Sequence, residues 1–264
     1  PLGTAGGVAQ AREMLTETFC VLSGDGVTDC DLTKALAFHR EKGALATMVL
    51  SRTADPTPYG LVITAPDGRI TDFVEKPAWG QVVSDAVNTG IYLLEPEILQ
   101  RIPEGPYDFG RDLFPKMAQS GGLYGYVMDG YWCDIGDLSS YYEANMRFSD
   151  GENVIGSGCK ISPLASLDSS VLMDNVEIED GCSVCRSVIC EGCVIGEGSS
   201  VGKGCVIGSD CVIGSGAVLE DGVIIKSGSR IPDGLIMRRS SAIGSVRQAS
   251  ELLFDYGIRF EMPK

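Results

Sequence analysis

The stretch ICEGCVIGEGSSVGKGCVIGSDCVIGSGAVLEDGVIIKSGSRI, residues 189–231, decides the architecture of the second part of the chain. An aliphatic residue stands at every sixth position: Ile189, Ile195, Val201, Ile207, Ile213, Leu219, Ile225 and Ile231. Small residues precede most of them by two positions (Cys193, Ser199, Cys205, Cys211, Ala217, Ser229), and glycine follows at 196, 202, 208 and 214. A period of six fits neither an amphipathic helix nor an ordinary alternating strand. It is the hexapeptide repeat of a parallel β-helix, in which each unit makes one short strand, points its aliphatic side chain inward and turns a corner on its small residues. Ile155, Ile161, Leu167, Leu172, Ile178 and Val184 carry the register upstream with two one-residue slips. Those slips predict irregular corners, and the whole run predicts between four and five triangular coils over residues 151–235.

Before residue 150 the period disappears and aromatic residues return, so a different domain is expected over 1–150. Short apolar runs there alternate with helical segments, the pattern of an α/β fold with a mostly parallel sheet. Phe19–Leu22 reads as a buried strand. Residues 31–42 read as a helix, with Asp31 at its N-cap and Gly43 as its stop. Ala46–Ser51 is the next strand, and Pro66-Asp67-Gly68 marks a hairpin turn between two extended runs. NTGIYLL (88–94) is a further strand, with short helices near 95–102 and 110–119. LYGYVMDGYWCDI (123–135) reads as a last hairpin, followed by a helix from Leu138 to Met146.

The composition narrows the function. With 264 residues the chain has room for two cores, and 44% hydrophobic against 22% charged residues describes a globular protein. No apolar run approaches the roughly 18 to 20 residues of a membrane span. A net charge of −15 with no basic stripe argues against a nucleic-acid partner. Ten cysteines without an export signal favour a reducing cytoplasm.

Several residue groups invite chemistry. Asp25 follows a strand-like run and a glycine, where an α/β sheet presents ligands. Glu75 and Lys76 close a strand that Pro77 breaks, which holds both side chains at a loop mouth. Asp29-Cys30-Asp31 has the D-x-D form of a metal-binding motif, but Asp31 is also the expected helix cap. Cys182/Cys185 and Cys190/Cys193 are spaced as C-x-x-C. Their four-residue spacer is shorter than that of common zinc ribbons, which favours small wall residues of the coil. Many β-helix proteins transfer acyl groups with a histidine base in the coil. The single histidine here, His39, lies in a helix of the first domain and is expected at the surface.

Up to about residue 235 the chain resembles the sugar nucleotidyltransferases that carry a hexapeptide β-helix, the mannose-1-phosphate guanylyltransferase and glucose-1-phosphate nucleotidyltransferase family. The likeness rests on PLGTAGG (1–7), LSGDGVTDCDL (22–32), FVEKP (73–77), NTGIYLL (88–94) and YWCDIGD (131–137), in the family's order and spacing. The wording of 82–99 and 130–137 is most similar to the guanylyltransferase branch. The resemblance implies an incomplete doubly wound, Rossmann-like nucleotidyltransferase domain followed by a left-handed parallel β-helix. It further implies a nucleoside triphosphate and a sugar 1-phosphate as substrates, and a homo-oligomer assembled through the β-helix. Asp25 and Asp134 are its implied Mg²⁺ ligands, and these two with Lys76 its implied catalytic residues. The sugar phosphate falls to Glu75, Lys76, Asn88, Gly90, Tyr59 and Gly60, and the nucleotide base to a loop at Pro1, Gly3 and Thr4. The family's phosphate-cradling loop and first strand are expected upstream of Pro1, so residues 1–264 alone are not expected to turn over substrate. Without that loop, a noncatalytic nucleotide-sugar-binding relative is the alternative. In the tail, 236–264, Leu253 to Arg259 faintly resemble the opening of a phosphohexomutase domain.

Overall fold

Asp31 caps its helix as the sequence requires, and the first unit of the fold is built around the strands that follow it. Residues 1–239 are described by the structure, a computed structural model, and the tail motif 253–259 lies outside them. Two compact units divide after Asp134, so the boundary comes before the composition change at 150.

In the first unit, helix α1 (Gly3–Ala9) precedes strands β1 (Phe19–Leu22) and β2 (Gly26–Thr28). Helix α2 (Leu32–Lys42) begins where the Asp31 carboxylate accepts the N–H groups of Thr33 and Lys34, and it stops at Gly43 in the left-handed conformation. Strand β3 (Ala46–Arg52), the hairpin β4 (Gly60–Thr64) and β5 (Ile70–Glu75), and the long strand β6 (Ala86–Leu94) follow. A 3-10 turn (Pro96–Arg101) and a π-helical turn (Phe109–Leu113) lead into α3 (Phe114–Ser120), β7 (Leu123–Val127) and β8 (Trp132–Asp134).

The sheet order is β5-β4-β6-β3-β7, with β1 also paired to β6. The sheet is mixed rather than mostly parallel: among the described residues only β3 and β7 run parallel, while β1, β3 and β4 all pair antiparallel with β6. Both faces are covered nonetheless. Met48, Leu50, Tyr92 and Leu94 face a core with Phe109, Phe114 and Met117, whereas the alternate residues Val49, Ile91 and Leu93 face Ala35 and α2. This period-two split of β3 and β6 is what a sheet with helices on both sides demands.

Three further expectations need correction. Residues 123–135 form no hairpin, because β7 joins β3 whereas β8 pairs with β2. The chain is redirected at Asp129-Gly130, where the Asp29 carboxylate accepts the Tyr131 N–H at 2.6 Å. Strand β1 is half-exposed rather than buried, with Leu22 54% exposed, because only one of its faces meets the core. His39 is buried, not at the surface: its ring nitrogens meet Thr47 Oγ1 at 2.7 Å and Glu95 Oε1 at 2.9 Å, which satisfies a polar ring inside the fold.

The second unit opens with α4 (Leu138–Phe148), capped by Asp137 through the Ser140 N–H. Three five-stranded parallel sheets then make the coil. Ile155, Leu172, Ile189, Ile207 and Ile225 stack in one column, and Ile161, Ile178, Ile195, Ile213 and Ile231 in another. The column of Leu167, Val184, Val201, Leu219 and Met237 completes about five turns, slightly more than the spacing predicts. Each slip in the repeat is a tightened corner, taken by Ser169 (φ 44°) and Arg186 (φ 45°), whereas most regular corners use glycine, with Asn175 and Asp210 in its place at two of them. Gly196 lies so close to the next coil that a Cβ would sit 2.7 Å from the Ile213 carbonyl oxygen. Helix α4 covers an outward stripe, Val171, Val188 and Val206, with Leu138, Tyr141, Tyr142 and Met146. That contact is why α4 belongs with the coil and the unit begins early.

Candidate active site

Strand β2 starts at Gly26, and its antiparallel register sets Gly26 opposite Asp134, the last residue of β8. Asp25 immediately precedes Gly26, so it stands one position along the chain from the residue that pairs with Asp134. Asp25 is further held by Ser23, whose hydroxyl donates to Asp25 Oδ1 at 2.6 Å. The Ser23 N–H in turn donates to the Gly90 carbonyl of β6 at 3.0 Å. Gly90 (φ 76°) is required there, because a Cβ would lie 2.8 Å from Ser23 Cβ. The close approach at Gly90 is thus made by the loop that carries Asp25.

Carboxylates are hard oxygen donors of the kind that suit Mg²⁺ when substrate phosphate and water complete the shell. Among the described residues no group of three or more His, Cys, Asp or Glu is arranged to hold a metal. The D-x-D is occupied structurally: Asp31 caps α2 and Asp29 anchors Tyr131. The C-x-x-C cysteines are coil wall, with Cys182, Cys190 and Cys193 buried. Burial pushes the thiols of Cys190 and Cys193 up to about 12, which keeps them protonated.

Glu75 ends β5 opposite Gly60, the first residue of β4. At Gly60 a Cβ would stand 3.0 Å from Glu75 Oε2 and 2.6 Å from the Phe73 ring. Lys76 takes a left-handed conformation (φ 46°) before the buried Pro77, and its N–H donates to the Tyr59 carbonyl at 3.0 Å. A lysine in that region is uncommon and marks a loop held by its surroundings. Asn88 uses both ends of its amide inside the protein: Oδ1 accepts the Gly90 N–H at 3.0 Å and Nδ2 donates to the Tyr92 hydroxyl at 2.9 Å. Burial pushes the Tyr92 phenol up to about 12.

Tyr59 brings the hairpin to β8. Its ring meets the Trp132 ring edge-on at 5.2 Å, and Trp132 lies in β8 two residues before Asp134. The Trp132 indole N–H is buried without a hydrogen-bond partner among the described residues. The motif YWCDIGD contains Trp132, yet its spacing gives no sign that the indole would be the bridge.

Pro1, Gly3 and Thr4 lead into α1 rather than forming a loop, because glycine lets this segment pack tightly on residues 105–109. The Gly6 N–H donates to the Tyr107 carbonyl at 2.9 Å, and a Cβ on Gly6 would stand 2.6 Å from the Gly105 carbonyl oxygen. Thr4 donates to Asp108 Oδ2 at 2.8 Å and accepts the Phe109 N–H at 3.0 Å. Sequence reasoning missed Asp108, although Asp before a helical turn is a cap signal. Burial opposes its ionisation, but donors from Arg111, Thr4 and Gly110 hold its carboxyl below the usual range. Glu75 moves the other way: burial raises it, Lys76 partly offsets this and Asp108 adds to it.

Residues 1–151 match the family described as "Nucleotidyl transferase", and residues 143–219 match the "EIF2B subunit epsilon LbH domain". The chain is 40% identical over 189 residues to a UTP--glucose-1-phosphate uridylyltransferase of Synechocystis sp., covering 67% of this chain and 49% of that protein. It is 35% identical over 205 residues to mannose-1-phosphate guanylyltransferase 1 of Arabidopsis thaliana, covering 75% and 56%. With mannose-1-phosphate guanyltransferase beta-B of Xenopus laevis it shares 42% over 146 residues, covering 53% and 40%. The chain therefore spans about half the length of these relatives.

Proposed function

The chain belongs to the nucleotidyl transferase family, and we propose that it serves the transfer of a nucleoside monophosphate unit from a triphosphate to a hexose 1-phosphate, with GTP and mannose 1-phosphate as the substrates. The observation that carries this reading is the β2–β8 register, which pairs Asp134 with Gly26, the residue that follows Asp25. In the proposed reaction an oxygen of the sugar phosphate attacks the α-phosphorus, the bond to the β-phosphate oxygen breaks, and pyrophosphate leaves. Asp25 and Asp134 are the residues that would hold Mg²⁺, which when bound neutralises phosphate charge that would otherwise repel the nucleophile. Lys76 contributes a cation for the sugar phosphate, and Glu75 a carboxylate for the sugar hydroxyls. Asn88 fixes Gly90, and Gly90 admits Ser23, so these two residues align the Asp25 loop with the sugar side of the site. Thr4 anchors the segment proposed to meet the base.

The guanylyltransferase relatives support GTP and mannose 1-phosphate. A second reading, UTP with glucose 1-phosphate, is supported by the cyanobacterial relative at 40% identity. We extend the proposal to a reducing compartment, supported by ten free cysteines, and to homo-oligomers formed through the coil, supported by the exposed Ile224 and Ile236. Among the described residues no helix is long and apolar enough to cross a membrane. Pyrophosphate release by the protein with its full native sequence, across four triphosphates and several hexose 1-phosphates, tests the reading through ratios of kcat/KM. A preference for GTP with mannose 1-phosphate is expected. Preference for UTP with glucose 1-phosphate selects the second reading, and release from no pair overturns both.

A further inference from the structure

Glu75 and Asp108 belong to different elements, yet Gly110 sits between them. A Cβ at Gly110 would stand 3.2 Å from Glu75 Oε2 and 3.6 Å from Asp108 Oδ1. The same Glu75 oxygen is also approached by Gly60, so the carboxylate packs against two residues without side chains. Gly110 is held by the turn that Asp108 caps. Asp108 Oδ1 accepts the Arg111 N–H at 3.0 Å, and the Asp108 N–H donates to Asp112 Oδ2 at 2.9 Å. The other Asp108 oxygen is taken by the Thr4 hydroxyl. One carboxylate therefore joins the first turn of α1, the wall against which Glu75 rests, and the electrostatic surroundings of Glu75.

We propose that Asp108 is a positioning residue for the sugar-phosphate site, which sets both the placement and the charge of Glu75 and ties them to Thr4 at the opposite, nucleotide side. The proposal rests on the reading of Glu75 as a substrate ligand. Physically, a carboxylate that is kept ionised by several donors is a fixed negative charge. Placed beside a second carboxylate, it raises the proton affinity of that neighbour. The charged and titratable groups that face Glu75 are Lys76, the residue after its strand, Asp108 across Gly110, and Tyr92 on β6. Lys76 opposes Asp108, and Tyr92 stays neutral, so the balance is set by removing one charge at a time. Nothing in FVEKP or PYDFGRD announces the link, because a long stretch of chain separates Glu75 from Asp108.

The test is made on the protein with its full native sequence. Asp108→Asn keeps one oxygen as acceptor for the Arg111 N–H, puts an amide NH2 in place of the oxygen that accepts the Thr4 hydroxyl, and removes the charge, while Asp108→Ala removes the cap as well. For Asp108→Asn, KM for the hexose 1-phosphate is expected to rise about 3- to 10-fold, with the loss falling in KM more than in kcat. The acid limb of kcat/KM should move to lower pH, because Glu75 loses its like-charged neighbour. Thr4→Ser should retain KM and Thr4→Val should raise it. A ¹³C-carboxyl titration of Glu75 by NMR reads the charge link without turnover: its midpoint should fall in Asp108→Asn. If wild-type protein turns over no sugar phosphate, the substrate reading fails, while the NMR shift still decides the charge link. An unchanged Glu75 midpoint together with an unchanged KM in Asp108→Asn overturns the proposal. A fall in stability of Asp108→Ala without either change would mean that Asp108 is only a helix cap.

Discussion

The coil and the carboxylate site differ in how far apart in sequence their partners lie. In the coil each inward residue meets the residue one turn away, as Ile195 meets Ile178 and Ile213, and every contact repeats the last. At the site Asp134 pairs with Gly26, the residue after Asp25, Glu75 and Asp108 flank Gly110, and Thr4 bonds Asp108, each across a separate stretch of chain. A damaged coil therefore disturbs its neighbouring turns, whereas a damaged site residue leaves the fold and removes chemistry. The comparison can be broken by experiment.

The largest effect should come from the carboxylate pair. Changing Asp25 or Asp134 to Asn is expected to lower kcat by at least about 10²- to 10³-fold, with far less change in sugar-phosphate binding measured by calorimetry. If binding and turnover fall together, the two residues are not a separable charge site. In the coil, Ile207→Ala empties a fully buried inward position and should cost about 2–5 kcal/mol in urea unfolding. Gly196→Ala should cost about 1–3 kcal/mol, because its Cβ would meet the backbone of the next turn. Neither coil change should alter KM for a sugar phosphate, and a change in KM would show that the two regions are coupled.

A smaller effect is expected where the repeat slips. Arg186 holds a left-handed corner (φ 45°) and its exposed ion pair with Asp168 contributes little, so Arg186→Gly should leave the melting temperature unchanged or raise it slightly. Substituting glycine at a regular strand position such as Val201 should lower it.

The smallest effects separate the two site carboxyls by sign. Burial raises Glu75, so it favours the folded state at low pH and loses that contribution as pH rises through its folded value; Glu75→Gln should gain stability relative to wild type above that range and not below it. Asp108 is held low by its donors despite burial, so its contribution is present at neutral pH and lost as pH falls through its folded value. Asp108→Asn should therefore lose stability relative to wild type at neutral pH and converge with it in acid. Melting curves over pH check both, and equal slopes for the two variants would refute the opposed environments.

Local signals were legible wherever one residue could do the work within its own turn of chain. The Asp31 cap, the Gly43 stop and the hairpin at Asp67-Gly68 needed nothing from elsewhere in the fold. The β-helix was legible even in its faults, since the two five-residue steps fall at the corners that Ser169 and Arg186 turn in the left-handed region. The reading failed where a polar residue had its partners on other elements. His39 looked like surface because its helix is polar, yet Thr47 and Glu95 meet its ring inside the fold.

Periodicity and caps determined the coil, its register and the helix ends, because those features depend on contacts within one repeat or one turn. Motif order determined the family, since several short motifs in one sequence of spacings restrict the fold more than any one of them. Strand direction, the partners of β7 and β8, and the meeting of Glu75 with Asp108 were decided by the tertiary structure alone. Their physical reason is shared. Which edge a strand pairs with depends on the packing of both sheet faces at once, and whether two carboxyls come to face each other depends on the turn that carries the second, which no local pattern encodes.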